Sequence, residues 1–241
     1  MGWPDWPPAA QCLAQAVKLD EMDDFPGLEA LRQLGGDNLS AESPVEVPWL
    51  FPDWACKHFN DGGDTEKLVI WLQQRPPLWL RLQTSDEEAV LERLKSEGLT
   101  PQRHTRIGTA VAVGNPRVNL YNLDSFLAGH YDVQDLASQV IGEVCRPAAG
   151  ERWWDACAGA GGKSLQLASL MERKGTVVAS DIRAYKLDDL RKRAKRAVFP
   201  NIQYRPWDGN KVPVKKSNFD GVLVDAPCSC SGTWRRNPAA R

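Results

Sequence analysis

The sequence predicts an α/β fold with a parallel, doubly wound sheet in its C-terminal part. Three observations carry the prediction. Trp153-Trp154 lead into Asp155 and through a glycine-rich turn into the amphipathic run Leu165-Gln166-Leu167-Ala168-Ser169-Leu170-Met171. A second strand pattern, Thr176-Val177-Val178-Ala179-Ser180-Asp181, is followed by a basic helical pattern over 184–198. A further apolar run, Phe219-Asp220-Gly221-Val222-Leu223-Val224, closes the series. Strands and helices alternating at these lengths give parallel sheets, whose ligands sit at the carboxyl ends of the strands.

The N-terminal part reads differently. Residues 1–64 are Pro- and Trp-rich, with short helical patches over 9–17 and 28–34, after which Pro44, Pro48 and Pro52 break the chain into turns. They predict a small helical or wrapping segment without chemistry of its own. His58 has only Cys56 at a metal spacing, too few ligands for a site, so no metal is expected. Residues 65–125 mix elements: a helix over 66–73, a strand at Leu78-Trp79-Leu80-Arg81-Leu82, a helix capped by Ser85 that runs to Lys95 with Gly98 past its end, and a strand over 107–113. This predicts a small α+β domain of RNA-recognition-motif shape. The third domain spans 126–241. Its lead-in holds a helix to Val144 that Asp132 could cap.

Composition narrows the classes. With 42% hydrophobic and 25% charged residues the chain reads as an ordinary soluble protein. It has no apolar run near the roughly 18 residues of a membrane span. Met1-Gly2-Trp3-Pro4-Asp5-Trp6 lacks a signal peptide's basic start and apolar middle, and six scattered cysteines fit a reducing, cytoplasmic setting. Residues 1–150 carry 12 Lys+Arg against 22 Asp+Glu, and residues 151–241 carry 18 against 9. The basic half hints at a polyanionic partner. The helix over 184–198 holds six basic residues, read mostly as its outer face, with Leu187, Leu190, Ala194 and Ala197 inward.

The turn Cys157-Ala158-Gly159-Ala160-Gly161-Gly162-Lys163-Ser164 admits three ligands. A phosphate-cradling loop needs glycine where Cys157 stands, and a dinucleotide fingerprint needs a third glycine where Ser164 stands. A nucleoside site needs an acid at the end of the next strand for the ribose hydroxyls, and Asp181 supplies it. A close-packed turn with no ligand is the bland alternative. At the last strand, Asp225-Ala226-Pro227-Cys228 sets an acid and a cysteine three residues apart at the mouth of the same sheet.

Taken together these stretches resemble the RsmB/Sun family of S-adenosylmethionine-dependent RNA 5-methylcytosine methyltransferases. The matching motifs are Tyr131-Asp132-Val133-Gln134-Asp135-Leu136-Ala137-Ser138-Gln139, the run from Asp155 to Lys163, the strand ending at Asp181, and Asp225-Ala226-Pro227-Cys228-Ser229. Pro48-Trp49-Leu50, Trp54 and Leu78-Trp79-Leu80-Arg81 resemble the family's pre-catalytic region. The resemblance covers about 45–241. It implies a Rossmann-like class I methyltransferase sheet and an RNA substrate, ribosomal RNA foremost. It also implies that Cys157, Ala158, Gly159, Ala160, Gly161, Gly162 and Lys163 hold the methionine end of S-adenosylmethionine. Asp181 would take the ribose, Asp208 would sit by the adenine, and Asp225 would lie between cofactor and cytosine. The family adds a thiolate to carbon 6 so that carbon 5 becomes nucleophilic, and uses a second cysteine, matched here by Cys228, to assist release. Arg235 and Arg236 would contact RNA phosphate. The chain departs from the pattern at Ala160, where proline is usual, and at Cys230, where a small residue is usual. No later Thr/Ser-Cys-Ser turn follows before Arg241. The expectation is therefore the first four strands only, with an open edge, and a cofactor half that does not itself transfer methyl groups.

Overall fold

The computed structural model describes residues 71–237, apart from positions 73, 75, 115 and 215–218. The segment expected over 1–64, and all but the end of the helix expected over 66–73, lie outside the described residues. Residues 77–227 form one compact unit; residues 228–237 belong to a second one, with the chain before residue 77.

The unit begins with an antiparallel sheet. Its elements are β1 (Trp79–Leu82), α1 (Glu87–Ser96), β2 (Gln102–Arg103), β3 (Ala110–Ala112), α2 (Asp124–Leu127) and β4 (Tyr131–Val133), and the strands lie in the order β2-β3-β1-β4. The cap of α1 is Asp86, not Ser85: its carboxylate accepts the Ala89 amide at 3.1 Å. Glu87 and Glu88 then face the positive end of the helix dipole, while Arg93 and Lys95 occupy the last turn. Leu80, Leu82, Val90, Leu94, Val111, Phe126 and Tyr131 make the core.

Asp132 does not cap a helix. It sits inside β4, which pairs with β1 (Leu80↔Val133, Leu82↔Tyr131), and it is buried beneath Arg193 and Arg196. The capping task falls to Asp135, whose carboxylate accepts the Ala137 amide at 2.9 Å at the start of α3 (Leu136–Cys145).

The second sheet is parallel throughout: β5 (Arg152–Asp155), β6 (Thr176–Asp181), β7 (Ile202–Pro206) and β8 (Gly221–Leu223), with α4 (Gly162–Leu170) and α5 (Ala184–Arg196) as crossovers. The order β7-β6-β5-β8 reads 3-2-1-4 along this sheet, so the winding reverses between β5 and β8. A reversal of this kind opens a crevice at the carboxyl edge. Leu165, Leu167, Met171, Val177, Ala179, Leu187 and Leu190 pack the core. Among the described residues β8 is an edge strand, with Val222 and Val224 exposed. In α5, Lys192 and Lys195 face solvent as expected, whereas Arg193 and Arg196 turn inward onto Asp132.

Candidate nucleoside site at the carboxyl edge of the parallel sheet

β5 ends on Asp155, 1% exposed. Its Oδ2 accepts the Ser164 hydroxyl at 2.6 Å, and its Oδ1 has no partner. Burial pushes this carboxyl up to about 6, against the pull of Ser164, the Cys157 amide and Lys163. The strand then gives way to a loop strapped across its neighbours. The Ala156 amide bonds the Leu223 carbonyl at 2.9 Å, reaching β8. The Ala158 amide bonds the Ser180 carbonyl at 2.8 Å, and the Gly159 amide bonds Asp181 Oδ2 at 2.8 Å, reaching β6.

Glycine is required in this loop for two different reasons. Gly159 and Gly161 both have positive φ, 53° and 86°. At Gly161 a Cβ would stand 2.0 Å from the Leu190 side chain, so its smallness serves the packing of α5 on the loop. At Gly159 a Cβ would meet nothing closer than Arg183 Nη2 at 3.9 Å, so the main chain there borders open space.

Asp181 ends β6 and is 3% exposed. Besides the Gly159 amide it accepts the Arg183 amide at 2.8 Å, Arg183 Nε at 3.1 Å and Nη2 at 3.3 Å. Burial raises its pKa, but these donors outweigh burial and hold the carboxyl below the usual range. The Trp207 amide bonds the Asp181 carbonyl at 3.1 Å, which carries β7's extension and Asp208 alongside. Asp208 is exposed and held low by the amides of Asn210 and Lys211, at 2.9 and 3.1 Å. Trp154 lies with its ring 6.1 Å from Trp207 and donates to the Ser180 hydroxyl at 2.9 Å. On the other side of the loop, Lys163 in the first turn of α4 pairs with Asp225 beyond β8 at 2.6 Å. Burial and then the acids Asp155, Asp181 and Asp225 push the Cys157 thiol up, so it stays protonated near neutrality.

The loop 157–163, Asp181, Asp208 and Asp225 thus share one edge of one sheet. Cys228 lies in the other unit. It is exposed, and its Sγ accepts the Cys230 amide at 3.3 Å. Cys230 has φ 58°, a left-handed position where glycine is unstrained, which explains physically why a cysteine there is a departure. Arg235 stacks 4.0 Å over the Trp71 ring and donates to the Gln74 carbonyl at 3.0 Å. Burial lowers the pKa of both Arg235 and Arg236. Among the described residues no group of three or more His, Cys, Asp or Glu could hold a metal, and no helix is long and apolar enough to cross a membrane.

Three features escaped sequence reading: the Arg183 clamp on Asp181, the buried Asp155–Ser164 pair, and the Asp132–Arg193 pair. The first two lie close enough along the chain to have been considered. The third joins residues 61 apart and left no local signal.

Residues 143–241 match the family described as 16S rRNA methyltransferase RsmB/F. A probable ribosomal RNA small subunit methyltransferase B from Synechocystis sp. is 32% identical over 86% of this chain and 48% of its own length. The ribosomal RNA small subunit methyltransferase B of Cronobacter sakazakii is 31% identical over 95% of this chain and 55% of its own. The chain therefore spans about half the length of these curated relatives. Among solved structures, PH0851 superposes with a TM-score of 0.77 at 28% identity, covering 88% of this chain and 50% of that one. NSun6 from Pyrococcus horikoshii, solved with SFG, gives 0.67 at 18% identity over 76% and 72%, a likeness of fold alone.

Proposed function

We propose that the chain, whose residues 143–241 match the family described as 16S rRNA methyltransferase RsmB/F, binds S-adenosylmethionine and serves methylation of carbon 5 of cytosine in ribosomal RNA. The observation that carries the reading is the bond from the Gly159 amide to Asp181 Oδ2 at 2.8 Å. It draws a glycine loop bordering open space and a ribose-type acid together at the carboxyl ends of β5 and β6, next to the winding reversal between β5 and β8.

The donor set fits the cofactor. Two main-chain amides fix the Asp181 carboxylate, while the Arg183 guanidinium, half exposed, is the partner free to yield to ribose hydroxyls. In this reading Cys157, Ala158, Gly159, Ala160, Gly161, Gly162 and Lys163 cradle the methionine end and Asp208 sits by the adenine. When bound, the cofactor supplies an electrophilic methyl group. The chain's own residues do part of the rest, and none of them is assigned as the thiolate that adds to carbon 6. Lys163 orients the Asp225 carboxylate between cofactor and base, and Cys228 assists release of the methylated cytosine from a thiolate adduct at carbon 6.

The domains proposed are 1–64, 65–125 and 126–241. The β-α-β-β-α-β sequence and 2-3-1-4 strand order of the first sheet, whose last strand β4 lies past residue 125, support an RNA-recognition-motif shape for it. Arg235 and Arg236 are proposed RNA contacts, which would require Arg235 to leave its place over Trp71.

Calorimetric titration with S-adenosylhomocysteine tests the cofactor reading: a single site is expected, lost in Asp181→Ala. A flat titration of the unaltered chain would end it. Methyl transfer is read separately, from labelled cofactor and ribosomal RNA: no transfer is expected from these 241 residues alone, in which no attacking thiolate is assigned, and label appearing in cytosine would refute that expectation.

A further inference from the structure

We propose that Arg193 is a positioning residue for the glycine loop, and that through it the first sheet governs the loop's conformation. Arg193 lies on α5, two turns past the helix start, and its guanidinium spans two parts of the unit. Nε and Nη2 grip Asp132 Oδ2 of β4 at 3.1 and 2.7 Å, and Nη1 donates to the Ala160 carbonyl at 2.6 Å.

The contact falls where the loop needs it. Ala156, Ala158 and Gly159 are tied to β8 and β6 through their amides, and the chain then turns back on itself through the Gly161 amide and Ala158 carbonyl at 2.8 Å. Ala160 stands at the outside of that turn, between two left-handed glycines that allow many alternative conformations. A bond to its carbonyl selects one of them. The guanidinium suits this because its fork is planar and rigid: fixing two nitrogens on Asp132 fixes the direction of the third. Lysine can satisfy either partner but cannot impose that geometry.

Asp132 is 4% exposed and also lies 3.5 Å from Arg196 Nη2, so the anchor is itself well held. A buried pair of this kind is a poor source of net stability, since desolvation offsets attraction. Its third bond, to a loop on another element, gives it a positional role. Removing Arg193 leaves Asp132 within 3.5 Å of Arg196 Nη2, so the buried carboxylate keeps a countercharge.

The inference rests on the cofactor reading only for its ligand arm. In the ligand-free chain, hydrogen–deuterium exchange of the 158–163 amides compares wild type, Arg193→Met and Arg193→Lys. Both variants are expected to lose about tenfold in protection at Ala158, Gly159 and Gly161, with β6 amides unchanged. Unchanged loop protection, or an equal loss throughout β6, overturns the proposal, the second outcome marking a merely structural role. S-adenosylhomocysteine affinity should fall about tenfold in the same variants, and unchanged affinity would likewise count against the proposal. If the wild type binds no ligand, the cofactor reading fails, while the exchange comparison still decides the role of Arg193.

Discussion

Asp155 is ionised at a cost. An aspartate in an unfolded chain titrates near about 3.9, whereas burial lifts this one to about 6. The folded state therefore holds the proton more tightly than the unfolded state. Below the unfolded value both forms are protonated and no penalty exists; between the two values stability falls as pH rises; above the folded value the penalty is complete. Two pH units correspond to about 3 kcal/mol. Asp155→Asn keeps an acceptor for Ser164 and cannot ionise. Relative to wild type, its unfolding free energy should improve by about 3 kcal/mol between pH 3.5 and pH 7.5, measured by urea denaturation at both. A flat difference would mean that the carboxyl titrates like a solvated one. The geometry makes the same point without titration: the Ser164 hydroxyl compensates Oδ2, whereas the buried Oδ1 has no hydrogen-bond partner.

At the scale of elements, β8 is held to β5 by a glycine. A Cβ on Gly221 would lie 2.4 Å from the Trp153 ring, which is buried and tied through Nε1 to Glu151 Oε2 at 2.8 Å. Gly221→Ala must move the ring or peel β8 outward, at about 1–3 kcal/mol. Because Asp225 extends from β8, displacement of the strand also stretches the Lys163–Asp225 pair. Thermal unfolding should show the loss, and S-adenosylhomocysteine titration should show weakened binding; full affinity in a destabilised variant would separate strand position from the site. The elements also show which parts of the fold were legible. The apolar run of β6, the Trp153-Trp154 pair that precedes the acid of β5, the capped and charged ends of α1 and the basic last turn of α5 stand out locally. β7 does not: Ile202-Gln203-Tyr204-Arg205-Pro206 ends in proline and reads as a connection, yet pairing with β6 from Val177↔Ile202 to Asp181↔Pro206 makes it a strand. β4 is three residues long, and its acid imitates a helix cap until tertiary partners claim it. The site was legible where it follows strand ends, as at Asp181 and Asp225. It was hidden where long-range partners decide the geometry, as at Arg193.

For the 77–227 unit as a whole, a chain of polar side chains joins the two sheets. Arg81 is 1% exposed, and burial lowers its pKa to about 10, so it remains charged at neutral pH. Its Nε donates to Gln134 Oε1 at 2.6 Å; Gln134 Nε2 donates to Gln166 Oε1 on α4 at 3.1 Å; Gln166 Nε2 donates to the Gln139 carbonyl on α3 at 2.7 Å. Gln139 Nε2 returns to the Gln134 carbonyl at 2.9 Å. Apolar faces alone could slide past one another, whereas these directional bonds favour one arrangement, even with Arg81 Nη1 and Gln139 Oε1 left without hydrogen-bond partners. Gln134→Leu would leave the Arg81 Nε and the Gln166 Oε1 without these partners in the interior. Each unsatisfied buried group costs about 1–3 kcal/mol, more when charged, so a loss of about 3 kcal/mol or greater is expected. Far-ultraviolet dichroism and tryptophan fluorescence should still report one coincident transition at lower denaturant, because both sheets share the joint. Two separated transitions in the wild type would show that the network does not couple them. Adding Arg81→Met removes the stranded charge, and the double variant should recover much of the loss, since replacing both partners by apolar groups costs less than orphaning one. A double-mutant cycle in which the two losses simply add would locate the stability of the joint elsewhere.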